Sequence, residues 1–340
     1  MAELVVQSAG PGVTVQDMGR PGYLAQGLSR GGAADRLALA EGAALLGQDS
    51  GLAAIEIAGS FVTLEVTAPV RIALTGAPMR ALSSGAALAW QASHALPAGA
   101  RLQLSGSRGG YSYVHVGGGV AAEAVLGAAS AHLGAGLGRM LQAGDRLPLG
   151  PDGGGATGRT LSPLERFEGG VLRMVETPQT RLFPSADRAR FTETPFVKDA
   201  RGNRMGQRLS PGDGAGFELP AGLTILSEAI VPGDIQITGD GAPFVLLSEC
   251  QTTGGYPRIG TVLPCDLPRL VQAPPGAVLR FRFVSLDEAT QAERQEATRR
   301  AGLPKATRPL VRDPRDMPDL LAHQLIDGVT LGDDLDRSAP

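Results

Sequence analysis

The sequence predicts a mainly β protein of two domains, and three observations carry that prediction. The 340 residues suffice for two cores of ordinary size. The 48 glycines and 25 prolines lie scattered between short apolar runs, the spacing of a turn-rich β chain. Period-2 alternation recurs: Val62, Leu64 and Val66 share a face, as do Val70, Ile72 and Leu74, and Leu279, Phe281 and Phe283 face inward with Arg280 and Arg282 outward. Three segments pair a turn with an alternating strand, at 97–104, 142–149 and 273–281, as in barrels or sandwiches of short strands.

Taken in order, TVQDMGRPGY (14–23) sets Asp17 and Arg20 around a Gly-Pro-Gly turn, where they either pair with each other or bind a ligand. AADRLALAEGAALLG (33–47) predicts a helix with an apolar stripe of Leu37, Ala40 and Ala44 or Leu45, stopped by Gly47. In YSYVHV, His115 shares a face with Tyr111 and Tyr113, which lines a pocket or forms a partly buried sheet surface. GAGLGR (134–139) lacks the spacing of a dinucleotide fingerprint and reads as a plain turn or a backbone anion nest. GPDGGGATG (150–158) is the candidate linker, dividing the chain into 1–160 and 161–290.

NRMGQRL (203–209) presents Arg204 and Arg208, whose planar forks suit carboxylate or phosphate, against the alternative of a solvated turn. The stretch from Ser248 to Leu270 concentrates the most chemistry. Glu249, Cys250, Gln251, Thr252 and Thr253 feed Gly254-Gly255-Tyr256-Pro257, and the glycines permit positive φ or a close backbone approach. Pro257 restricts Tyr256 to extended conformations. The segment is either a small-molecule site or a tight hairpin capped by its tyrosine. SLDEATQAERQEATRRAG (285–302) predicts a polar surface helix with a Ser285/Glu288 capping box and a Glu296–Arg300 pair. Residues 291–340 make a third segment, in which the tail from about 302, with Pro304, Pro309, Pro314 and Pro318, reads as an extended arm ending in a docking element at 320–329.

Composition excludes several functions. A net charge of −3 offers no field for nucleic acid. No apolar stretch spans a bilayer and MAELVVQSAGPG shows no signal-peptide pattern, so a cytoplasmic location is expected. Cys250 and Cys265 are too few for a disulfide framework. The four histidines lack any metal-binding pairing, so no metal is expected. The only lysines, Lys198 and Lys305, complete neither a P-loop nor a methionine-flanked biotin site, so no biotin is attached here. Ser83-Ser84-Gly85 has no nearby lysine to serve as base, which argues against an amidase.

In order along the chain, TVQDMGRPGY, AAIEI, RGGYSYVHVGGGV with VLGAAS, LQAGDRL, TPFVKDARGNRMGQRL, the long segment from LSEAIVPGD to RIGTV, and PPGAVLRF resemble the allophanate hydrolase subunit 2 family. That family includes the C subunits of 5-oxoprolinases and the A and B subdomains of the urea carboxylase carboxyltransferase region. Three positions depart from it: Ala128–Ala131 replaces a Ser-Arg-Ser-Thr run save for Ser130, Gln207 replaces a tyrosine, and Glu249 an aspartate. The resemblance implies two linked cyclophilin-like β-barrel subdomains with a few helices and an extended C-terminal arm. It implies a subunit 1 partner carrying subdomains C and D, with a third 5-oxoprolinase subunit or a biotin carrier alongside. The preferred activity is ATP-dependent opening of 5-oxoproline, with ATP shared with partner subunits. Carboxyl transfer to urea or a related amide is the second, and a non-catalytic regulatory binding subunit the third. On the first, Arg204 and Arg208 hold phosphate or carboxylate and Gln251, Thr252, Thr253 and Tyr256 bind the amide along Gly254 and Gly255. Glu249 accepts a proton, with Tyr256 beside it in catalysis and Asp17 and Arg20 in substrate binding.

Overall fold

The computed structural model describes residues 2–311 apart from 108, 163, 213 and 218–224, together with Arg315. Four α-helices lie among the described residues: α1 (Arg36–Leu46), α2 (Ser185–Glu193), α3 (Leu267–Gln272) and α4 (Leu286–Ala306). Everything else regular is strand or short 3-10 turn, so the chain is mainly β, as the alternation predicts.

The first half encloses its core between two sheets. One orders Arg146–Pro148, Glu3–Ala9, Val62–Val66, Arg101–Ser105, Arg80–Ser83 and Ala86–Ala87. The other runs Val13–Gln16, Ala54–Ala58, Tyr111–Val116, Val70–Gly76, Ala92–Leu96, Arg159–Thr160 and Arg308–Pro309. Val62, Leu64, Val66, Ile72 and Leu74 meet in the single core between them. Ser83-Ser84-Gly85 is a hairpin: Ser84 and Gly85 take φ of 47° and 90°, the left-handed pair that a two-residue turn needs.

The second half is a closed barrel of Gly170–Val175, Arg258–Val262, Asp234–Ile237, Pro243–Leu246, Gly206–Pro211, Phe196–Gly202 and Val278–Phe283. Leu279 and Phe281 point into its core while Arg280 and Arg282 stay exposed, as their alternation requires. Phe191 of α2 closes the barrel, with ring centroids 4.8, 5.1 and 5.1 Å from Phe196, Phe217 and Phe281. Residues 150–158 carry no regular structure; Asp152 there pairs with Arg71, and Arg159–Thr160 returns to the first half's sheet.

Three expectations need correction. α1 buries almost its whole circumference, including Ala38, Leu39, Glu41 and Gly42, while the expected Ala40 and Ala44 are only half-buried. It is covered by the second sheet on one side and by α4 on another, so no single stripe describes it. α4 does carry the Ser285 cap and the Glu296–Arg300 pair, at 3.3 Å, but continues to Ala306 with Pro304 in its last turn. The tail is therefore helical to 306 and Pro309 adds to the sheet; Pro314, Pro318 and 320–329 lie outside the described residues.

His115 is the third. It is buried within the protein, 2.8 Å from Thr75 Oγ1 and pressed on α1 at Gly42. A Cβ at Gly42 would fall 2.1 Å from the imidazole, which explains a glycine inside an apolar helix. Burial pushes the His115 pKa down to about 3. The unfolded chain therefore binds a proton below pH ~6.5 that the native state refuses, so stability is full above that pH and falls on acidification. Urea unfolding of wild type should lose about 2 kcal/mol more than His115→Gln between pH ~6.5 and ~5; equal losses would refute a neutral, buried imidazole.

Candidate functional site

The seam between the halves is where charged side chains converge. Arg204 occupies the hairpin turn between Phe196–Gly202 and Gly206–Pro211, where Asn203 Oδ1 accepts from the amides of Met205 (2.8 Å) and Gly206 (3.3 Å). That side-chain turn aims Arg204 at the first half. Its Nε donates to Glu249 Oε1 at 2.5 Å, its Nη2 to the Gly32 carbonyl at 2.5 Å, and its Nη1 to Glu56 Oε1. Burial alone lowers the guanidinium pKa, but Glu56 and Glu249 more than offset it and raise it overall.

Glu56, on strand Ala54–Ala58, is fully buried; its Oε2 accepts from Tyr113 Oη (2.7 Å) and the Ala34 amide (2.8 Å). Tyr113 Oη in turn accepts from the amide of Asp35 at 2.8 Å. Asp35 caps α1, accepting from Leu37 and Ala38 through Oδ1, while Oδ2 takes Arg166 Nε (2.9 Å) and Gln272 Nε2 (2.7 Å). Arg166 then grips Glu41 in two-point fashion at 2.9 and 2.7 Å. Ser29 Oγ lies 2.9 Å from His132 Nε2, and His132 Nδ1 lies 4.0 Å from Glu249 Oε2. Burial holds the His132 pKa below its usual value.

A cleft of about 70 Å³ opens on this network, walled by Arg36, Arg204, Ser248, Pro232, Pro264 and Leu267. Arg36 stands at the first residue of α1, donates Nη2 to the Gly31 carbonyl at 3.1 Å, and has no acidic partner among the described residues. Burial, then the nearby charges of Arg30 and Arg300, bring its pKa down to about 10. An uncompensated guanidinium at a helix N-terminus favours an anion, and the volume admits one small group such as a carboxylate.

The other predicted residues disperse. Arg208 lies on the barrel exterior, donating to Asp240 Oδ2 at 2.5 Å with Asp199 3.8 Å away. Gln251 and Thr253 are exposed, Thr252 is half-buried, and Thr253–Gly254 pairs with Glu228–Ala229 in a two-stranded flap. Neither Gly254 nor Gly255 takes a positive φ; Gly254 instead allows a close approach, since a Cβ there would fall 2.7 Å from Gln236 Nε2. Tyr256 is half exposed and its hydroxyl has no partner among the described residues. Glu249 and Tyr256 therefore occupy different surroundings, one buried in the seam and one on the flap. Asp17 and Arg20 do not pair: Asp17 accepts from the amides of Gly19 (2.8 Å) and Ala129 (2.7 Å). Arg20 donates to the carbonyls of Val125 (3.3 Å), Ala128 (3.3 Å) and Ser130 (2.5 Å). Gln207, where a tyrosine is usual, is spent on the carbonyls of Asp199 and Arg208.

Sequence reasoning missed Glu56, Asp35, Glu41, Arg166, Gln272 and Arg36. A signal existed for two of them. Glu56 in AIEIA and Glu41 in LALAEGAALL are lone acids inside apolar runs, and a buried acid requires a partner. Among the described residues, no three His, Cys, Asp or Glu side chains are grouped to hold a metal, and no helix is long and apolar enough to cross a membrane. Both cysteines are free.

A two-sheet half clamped to a closed barrel by buried arginines is a carboxyltransferase-type architecture. Residues 26–283 match the family described as carboxyltransferase domain, subdomain A and B, and the chain belongs to it. It is 34% identical to the C subunit of 5-oxoprolinase from Escherichia coli over 86% of this chain and 95% of that protein. It is 31% identical to the Haemophilus influenzae protein of the same name, over 83% of this chain and 91% of the relative. The crystal structure of TTHA0988 superposes with a TM-score of 0.75 at 31% identity, over 83% of this chain and 55% of that one. Kluyveromyces lactis urea carboxylase shares the fold, with a TM-score of 0.78 at 21% identity over 93% of this chain and 30% of that one.

Removing one partner of a buried ion pair strands the other, at a cost of about 3–5 kcal/mol. Arg204→Ala leaves Glu56 and Glu249 unpaired and should cost that much in urea unfolding, followed by Trp90 fluorescence for the first half and far-UV circular dichroism for both. A loss below ~1 kcal/mol would show that the clamp does not hold the halves.

Proposed function

We propose that this chain is a subunit of an ATP-dependent 5-oxoprolinase, acting with a partner that carries the C and D subdomains. One observation carries the reading: the chain spans 95% and 91% of two proteins named as the C subunit of 5-oxoprolinase. By contrast it corresponds to 25% of a putative urea carboxylase from Emericella nidulans, at 29% identity.

The lactam of 5-oxoproline is an unreactive amide joined to a carboxylate, so the enzyme must anchor the acid and polarise the carbonyl. The Arg36 cleft is suited to the first task and admits little more than an acid group. The remainder of the substrate, and ATP, then face the partner, whose absence leaves the site incomplete. Glu249 is committed to Arg204, so its role is to position that guanidinium rather than to take a proton. Gln251, Thr253 and Tyr256 are exposed and Thr252 half-buried on the flap, and on this reading they meet the lactam together with the partner. Arg208, already paired with Asp240, is left out of this assignment. A cytoplasmic setting, where ATP is available, fits the activity.

The test is reconstitution. The chain, co-expressed and purified with its subunit 1 homologue, should hydrolyse ATP in response to 5-oxoproline, and Arg36→Gln should raise KM by about tenfold or more with the complex intact. Absence of stimulation by any lactam would sink the reading. Discharge of carboxybiotin onto urea by the same complex with a biotin carrier would favour the carboxyltransferase activity instead.

A further inference from the structure

Lys198, on strand Phe196–Gly202, is one of only two lysines in the chain and is buried at 7% exposure. Its three ammonium protons all go to backbone: Nζ donates to the carbonyls of Leu270 (2.9 Å), Val271 (3.0 Å) and Ala273 (2.6 Å). Those carbonyls lie at the C-terminal end of α3, where the helix dipole favours a cation. α3 has six residues, too few to be stable alone, and no side-chain cap at its N-terminus, since Arg173 takes the Asp266 carboxylate. The main chain of Lys198 holds the following turn as well, giving its amide to the Ala277 carbonyl and receiving that of Gly276.

α3 is one wall of the Arg36 cleft, through Leu267, Pro268 and Val271. Its last residue, Gln272, donates to Asp35 Oδ2 (2.7 Å) and the Tyr111 carbonyl (2.9 Å) and accepts from the Tyr111 amide (2.9 Å). Asp35 caps α1 one residue before Arg36. Lys198 lies outside the cleft and borders a separate cavity of about 200 Å³ with the exposed Ala200 and Gly202.

We propose that Lys198 is a positioning residue for the Arg36 cleft: by capping α3 it sets the cleft's apolar wall and, through Gln272 and Asp35, the first turn of α1. This role rests on the 5-oxoprolinase reading only where turnover is measured. The ammonium is the working form, because a neutral amine keeps two donors and strands one carbonyl. Burial brings the Lys198 pKa down to about 8. The charged and titratable groups nearby are committed elsewhere. Asp199 is held by Arg201 at 2.6 Å, Arg208 by Asp240 at 2.5 Å, and Arg269 of α3 donates to the Gly169 carbonyl, while burial keeps the Tyr111 phenol protonated. The cap is thus complete below the Lys198 pKa and loses a donor above it. The unfolded lysine holds its proton to about 10.5, so the contribution of Lys198 to global stability rises between those two values. A cleft that loosens in that window does so against the trend of stability.

Hydrogen exchange and methyl NMR on the full chain test this without any partner or turnover. At neutral pH Lys198→Met should speed exchange at residues 267–273 and in the first turn of α1 by about tenfold or more relative to the rest of the chain. Lys198→Arg, which keeps a cation, should restore most of that protection. In wild type the Leu267 and Val271 methyl resonances should move with a midpoint near pH 8, and in Lys198→Arg they should stay fixed. In the complex with the subunit 1 homologue, KM for 5-oxoproline should rise about fivefold from pH ~7 to ~9.5 with kcat within about twofold, whereas Lys198→Arg stays flat. Should Lys198→Met fail to fold, the wild-type methyl titration decides. Exchange raised evenly along the chain would mark a merely structural lysine and overturn the assignment. So would methyl resonances with no midpoint near pH 8, or a flat wild-type KM in a complex that turns over. Absence of any lactam response beside the expected exchange and methyl pattern keeps the positioning role and counts against the 5-oxoprolinase reading alone.

Discussion

The structure depends on one buried guanidinium. Arg204 belongs to the barrel, yet its charge is balanced by Glu249 from its own half and Glu56 from the other, and its last donor goes to Gly32. Separate the halves and Glu56 is left without its cation in an apolar strand. Arg166 repeats the arrangement, bound to Asp35 and Glu41 of the first half, and Gln272 of the barrel reaches the same Asp35. Such pairs add little net stability over an apolar contact of the same shape, because desolvation nearly cancels the Coulombic gain. What they add is intolerance of misalignment: sliding the barrel by one residue would strand several charges at once.

That intolerance explains how the site is aimed. Asp35 is at once the cap of α1, the acceptor for Arg166 and the end of the Glu56–Tyr113 chain. Fixing Asp35 fixes the first turn of α1, and with it the direction of Arg36. The helix carries a cation where its dipole would prefer an anion. A stability optimum would place an acid there, so the arginine has a cost that an incoming anion would offset.

The alternation of 61–66 and 278–284 was readable because each strand buries one face, which leaves the period intact. Strand Val70–Gly76 and α1 were harder for the opposite reason. Each is covered on both sides, so Ala73, Thr75, Ala38 and Leu39 are buried where a one-sided pattern predicts exposure. Arg204 and Glu249 were legible as chemistry and illegible as a pair, since 45 residues separate them and only closure of the barrel brings them together. Asp17 and Arg20 misled through proximity: three residues apart in a turn, they point to different backbone groups of the same 125–130 segment. Short-range sequence spacing predicts pairing well on a helix, where geometry is fixed, and poorly in a glycine-rich turn, where it is not.

The loop from Ser29 to Asp35 touches three arginines, Arg20, Arg36 and Arg204. Gly31 donates its amide to the Ser248 carbonyl and gives its own carbonyl to Arg36, while a Cβ on it would lie 3.6 Å from Arg20 Nη1 and 3.1 Å from His132. Its φ of 61° and that of Gly32 at 79° are left-handed, and a Cβ on Gly32 would meet the Gly19 amide at 2.5 Å. Side chains at these two positions would be strained, so the loop is built of glycines. Among the described residues, Arg36 and Arg20 donate to carbonyls alone. Of the four arginines, Arg204 and Arg166 take carboxylates and hold the protein together, while Arg36 borders its cleft without one among the described residues.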